Sequence, residues 1–101
     1  MHLLVGENLV DQEFLSSSVQ GFEELKTQIL PAFPPERVSG LTGLSPEDLQ
    51  FMAGTFGKAR APFIRVGAGL SRYGNGAMNV RSIVCLPALV GAWKKKGGGC
   101  F

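Results

Sequence analysis

Along this chain the apolar residues recur mostly three and four positions apart, the spacing of one helix face, and only once in the dense β-rich run of a strand. Met1-His2-Leu3-Leu4-Val5 opens apolar and closes near Gly6 to Asn8, which predicts the tail of a helix. Asp11 then stands as a cap for a short helical run holding Phe14 and Leu15. Over residues 21–30, Phe22, Leu25 and Ile29 make one apolar face, and Glu23 and Glu24 sit in the first turn, where they suit the helix dipole. Pro31, Pro34 and Pro35 end that helix and start a short one over residues 36–41.

The strongest helix signal follows. Ser45 is a ready cap, Pro46 fits the first helical position, and Asp48 completes a carboxylate version of the capping box. Leu49, Met52, Ala53 and Phe56 form the stripe expected to be buried. Gly54 and Gly57 each weaken this helix by roughly 1 kcal/mol, unless they admit a close neighbour. Residues 62–66, Pro-Phe-Ile-Arg-Val, are the one convincing strand. A single strand makes no sheet, so its hydrogen-bond partner is expected outside this chain. After a glycine-rich turn, Asn75-Gly76 opens a helix through Met78, Val80, Ile83, Val84 and Leu86, with Pro87 kinking or interrupting it before Trp93. Trp93 and the phenylalanines are expected in the core. The fold class that results is mainly α with one or two short strands.

Length and composition narrow the picture. A chain of 101 residues is one domain at most, and 45% hydrophobic residues argue against wholesale disorder. A net charge of +2 is too small to argue for nucleic acid. The basic run Lys94-Lys95-Lys96 reads as a solvated turn. The longest nearly uncharged stretch, residues 82–93, is too short to cross a bilayer. No secretory leader is visible. Cys85 and Cys100 lack further ligands at metal spacing, so two free thiols in a reducing compartment, the cytoplasm, are expected. Both ends read as cut: the start is apolar and uncapped, and the chain stops on Cys100-Phe101 after the flexible run Gly97-Gly98-Gly99.

One stretch invites a ligand. Residues 67–76, Gly-Ala-Gly-Leu-Ser-Arg-Tyr-Gly-Asn-Gly, lie between a strand and a helix, where glycines let the backbone approach an anion and free helix N–H groups face it. Arg72 adds a charged donor and Ser71 a hydroxyl. This is no dinucleotide fingerprint, because the third glycine would fall at Arg72. Glycine spacing alone fits a tight connection equally well. No nucleophile, base and orienter can be grouped, and the single histidine, His2, falls at the chain start, where it is expected at the surface.

The wording of these motifs resembles a known family. Residues 64–76, Ile-Arg-Val-Gly-Ala-Gly-Leu-Ser-Arg-Tyr-Gly-Asn-Gly, are similar to a strand–turn–helix segment of the molybdopterin-dependent oxidoreductases of the dimethyl-sulfoxide-reductase type. Cys85-Leu86-Pro87-Ala88-Leu89-Val90-Gly91-Ala92-Trp93 and the triple glycine resemble its continuation, and residues 21–25, 35–38 and 41–49 resemble the region upstream. The resemblance covers nearly the whole chain in order. It implies a single partial domain, residues 1–101, cut from a three-layer α/β cofactor-binding region, with the rest of the parent chain as its partner. It implies a bis-molybdopterin guanine dinucleotide cofactor carrying molybdenum or tungsten in the parent, with two-electron redox chemistry, and no cofactor in the isolated piece. Carried over, Gly67, Gly69, Ser71, Arg72 and Asn75 face the cofactor; Ser71 stands where many members have glutamine. Catalytic and metal-ligating residues are expected outside this chain. The alternative is a non-enzymatic helical interaction module that self-associates.

Overall fold

The computed structural model describes all 101 residues. The chain starts with α1, His2–Gly6, which Asn8 helps to close in a left-handed conformation at φ 54°. Helix α2, Gln12–Ser18, begins where the Asp11 carboxylate accepts the Phe14 N–H at 3.0 Å. The predicted helix over residues 21–30 is there but irregular. It opens as α3, Phe22–Glu24, widens to a π-helix over Leu25–Ile29, and tightens to a 3-10 turn over Leu30–Ala32. Pro31 lacks the N–H that a regular helix would need there, and the ladder is rearranged around it. Helices α4, Pro35–Thr42, and α5, Pro46–Lys58, follow as predicted. The Ser45 cap at the start of α5 is formed, with the Asp48 N–H donating to the Ser45 hydroxyl at 3.1 Å, but the Asp48 carboxylate accepts that hydroxyl at 2.8 Å and not the Ser45 backbone N–H, so only half of the capping box is made.

The strand β1, Phe63–Ile64, is found with its partner inside this chain, which corrects the expectation drawn from the sequence. It pairs in parallel with β2, Gly99–Cys100, with Phe63 opposite Gly99 and Ile64 opposite Cys100. The Gly99 N–H donates to the Pro62 carbonyl and the Phe101 N–H to the Ile64 carbonyl, both at 3.0 Å. Between the strands runs α6, Gly76–Leu89, which continues past Pro87. Two parallel strands joined through a helix form a βαβ unit. Gly99-Cys100 is too short and too glycine-rich to announce a strand, so only the geometry of the return makes it one.

The triple glycine is a packed turn and not a flexible tail. At Gly98 a side chain would collide with the Ala92 carbonyl, and Gly99 sits at φ 125° with its Cα face against the Trp93 indole. Lys94 is not merely solvated either: its ammonium reaches Asp11 at 2.7 Å and Glu13 at 3.1 Å, the two ion pairs of the chain.

The core is small. Leu4, Leu15, Leu89, Val90 and Ala92 form one buried cluster where α1, α2 and the end of α6 meet. Gly57 lets this cluster close on α5, since a Cβ there would lie 2.8 Å from Leu9, whereas Gly54 faces open space. The aromatics do not fill the core as expected. Phe33, Phe51, Phe63, Trp93 and Phe101 are all exposed. The chain buries only 11 of its 101 residues, so little core is available to cover them.

Candidate functional site

The glycine-rich turn lies beyond the carboxyl end of β1 and before the amino end of α6, the place in parallel α/β units where ligands gather. Its first half is a 3-10 turn over Ala68–Arg72, which the sequence pattern did not foretell. Gly76 locks this turn onto the helix start. It is buried, and a Cβ on it would lie 2.5 Å from the Leu70 carbonyl oxygen and 2.9 Å from Ser71 Cα.

All five residues nominated from the sequence are exposed on this one connection: Gly67, Gly69, Ser71, Arg72 and Asn75. Their chemistry differs. The Ser71 hydroxyl donates to the Ala68 carbonyl at 2.8 Å, so its proton is engaged within the turn. Arg72 has no carboxylate within ion-pair reach and no hydrogen bond to the chain, so pairing with a surface acid does not account for it. Asn75 stands at the cap position of α6 but its side chain accepts no capping bond. The Ala77 and Met78 N–H groups at the start of α6 likewise find no acceptor in the chain. Gly67 has an ordinary φ of −84°, and a Cβ at Gly67 or Gly69 would meet nothing within 4 Å. The fold itself therefore does not require glycine at these two positions. Bare backbone, an unpaired guanidinium, an idle amide and free helix donors together suit an anionic group.

A wider electrostatic feature was overlooked in the motif-by-motif reading. All eight acids fall within residues 1–48, together with two cations, while residues 49–101 carry eight cations and no acid. Of these eight, only Lys94 is paired. Arg60, Arg65, Arg72 and Arg81 are exposed around the βαβ unit, giving it a positive field that the modest net charge conceals. Splitting the chain in two before summing charge would have revealed it.

The second surface feature is an open apolar groove of about 630 Å³ between α1, the bend of residues 29–38 and α5. The predicted core stripe Leu49, Met52, Ala53 and Phe56 lines it: Ala53 and Phe56 pack against the core on one side, while Met52 stands exposed at the gap. His2 lines it too and is half-buried, with Nδ1 3.0 Å from the Leu30 carbonyl oxygen. Burial in the same place pushes the amino group of Met1 below its ordinary value. No set of His, Cys, Asp and Glu side chains converges to hold a metal, and both cysteines are free. No helix is long and apolar enough to cross a membrane.

No protein-family model matches the chain. Individual proteins do. It is 46% identical over 101 residues to the probable oxidoreductase YoaE of Bacillus subtilis, covering 100% of this chain and 15% of that protein. It is 40% identical over 99 residues to the F420-dependent formate dehydrogenase 1 subunit alpha of Methanococcus maripaludis, covering 98% of this chain and 14% of that one. It is 33% identical over 98 residues to formate dehydrogenase H of Escherichia coli, again 97% of this chain against 14% of the relative. The chain thus spans about one seventh of the length of these relatives. Matched end to end by one stretch of such enzymes, it is a homologue of the large molybdopterin-dependent oxidoreductases of the dimethyl-sulfoxide-reductase type.

Proposed function

We propose that this chain is the part of a molybdopterin oxidoreductase that presents one face of a guanine-dinucleotide pterin cofactor with a prepared binding turn, and that it catalyses nothing alone. The observation that carries this reading is the cluster of unused donors beyond β1: the Arg72 guanidinium, the Asn75 amide and the Ala77 and Met78 N–H groups. When bound, the metal–pterin unit supplies the two-electron chemistry. The residues here bind and orient. Gly67 and Gly69 let backbone approach a phosphate or a ring edge, Arg72 neutralises charge, and the first turn of α6 donates from its positive end. Ser71 stiffens the turn through Ala68. Arg72 takes no part in proton transfer, because a guanidinium stays charged at any working pH.

The test is Arg72→Ala in the full-length enzyme, with pterin and metal content measured beside the melting temperature. Losing a charged hydrogen bond of roughly 1.5–3 kcal/mol should lower cofactor retention about tenfold or more, with little change in the melting temperature of the cofactor-free protein. Full occupancy with full activity defeats the proposal. The 101-residue chain by itself is expected to retain no stoichiometric molybdenum, tungsten or iron, since it offers one side of a cleft and no cluster ligands.

A further inference from the structure

The groove beside α5 is built for an occupant that this chain does not supply. Its lining is almost wholly apolar, with His2 and Ser82 as the polar exceptions and no charged side chain. Met52 is 58% exposed there, although it stands in the stripe that the sequence pattern puts in the core, and Phe33 beside it is 43% exposed. An apolar stripe that packs against the core through Ala53 and Phe56 but lies open at Met52 leaves room for a further apolar element beside it. A patch of this kind on a soluble protein marks an interface.

We infer that the groove is an internal seam of the longer polypeptide: it receives an apolar helix face contributed by the same chain from outside this stretch. The inference rests on the reading of the chain as one piece of a larger oxidoreductase. Three observations favour this occupant over a second copy or a separate protein. The relatives align with the chain from end to end, and about six sevenths of their length lies outside the match, so covering polypeptide is tethered nearby. The groove carries no charged side chain, and its polar lining is limited to His2, Ser82 and the Met1 amino group, whereas surfaces that meet separate partners have polar rims. Its floor is continuous with the buried core, because Leu4 and Ala53 belong to both. A tethered helix therefore extends the existing core. Its contact residues are Leu, Ile, Val, Met or Phe at spacings of three and four.

The experiment uses the full-length protein carrying Met52→Cys, a change small enough to leave the fold intact. Maleimide labelling of Cys at this position is timed under native conditions and in urea, with peptide mass spectrometry separating it from Cys85 and Cys100. A seam slows labelling by about tenfold or more relative to the unfolded rate, at protein concentrations where the sample is monomeric. A rate near the unfolded one overturns the inference. Slowing that disappears on dilution assigns the groove to a second copy and overturns it as well. A photo-cross-linking residue at Phe33 gives the independent readout. A cross-linked peptide from elsewhere in the same polypeptide supports the seam, and a cross-link between chains or to another protein overturns it. Cofactor content of the same preparation reports on the proposed function separately, so an enzyme with full cofactor and an open groove fails this inference alone.

Discussion

The corner where α1, α2 and the end of α6 meet and the face made by α4 and α5 are similarly apolar in sequence, yet one is closed and the other is open. In the corner Leu4, Leu15 and Leu89 are 2–3% exposed and Ala92 is wholly covered. Along the open groove Met52 is 58% exposed, Ile29 50% and Phe33 43%. The corner closes because several short elements bring small and branched residues to one point and fasten it with polar contacts. Asp11 takes part in three of these: it caps α2, its N–H donates to the Leu89 carbonyl at 2.8 Å, and its carboxylate pairs with Lys94. The open face has helices with clear apolar stripes that meet a neighbour along only part of their width. Local signals make a helix; burial needs a second surface.

That contrast can be broken most forcefully in the corner. Leu4→Ala removes a side chain at the centre of the cluster and should cost roughly 3–4 kcal/mol by urea unfolding of the 101-residue chain. A cost below about 1 kcal/mol there means that the corner is not the core. Next comes Gly91→Ala. Gly91 lies at φ 61°, and an added Cβ would lie 2.5 Å from an Asp11 carboxylate oxygen. Backbone strain and displacement of that carboxylate together should cost about 2–3 kcal/mol. Restoring room with Asp11→Ala should recover part of that loss, and a strictly additive double mutant is evidence against the contact.

Asp11→Ala alone should cost about 1–2 kcal/mol, chiefly the lost helix cap, with the partly exposed ion pair adding little. It also carries the pH dependence. The Lys94 ammonium, and after it the Phe14 N–H, hold the Asp11 carboxyl below the ordinary aspartate value of 3.8. A group depressed in the folded state stabilises fully above its unfolded value, and that stabilisation is lost as pH falls through the folded one. Melts taken from about pH 6 downwards should thus show a decline below about pH 4 that is shallower in Asp11→Asn than in the parent sequence.

The smallest effects belong to the open regions. Met52→Ala and Gly67→Ala should each change the stability of the 101-residue chain by less than about 0.5 kcal/mol, because one side chain is mostly solvated and the other position has room for a Cβ. In the full-length protein the two should part company. Gly67→Ala should reduce cofactor content at unchanged stability, and Met52→Ala should lower the melting temperature at unchanged cofactor content. Identical behaviour of the two variants would erase the distinction between a ligand-facing turn and a packing seam.

What the sequence determined by itself is what local chemistry can encode. The Ser45 cap, the Asp11 cap, the Pro35 start of α4 and the helix from Gly76 all stand where residue type and spacing put them. The five nominated residues do share one connection, since they lie within nine consecutive positions. The tertiary structure decided the rest. It made Gly99-Cys100 a strand by returning it beside Phe63, turned the triple glycine from a loose end into a fitted corner, and engaged Lys94 in an ion pair 83 residues from its partner. It also left the Leu49–Met52–Phe56 stripe facing a groove. A periodic pattern states which side of a helix is apolar, a property of a few neighbouring residues. What covers that side depends on contacts between residues far apart in sequence, which no local pattern encodes.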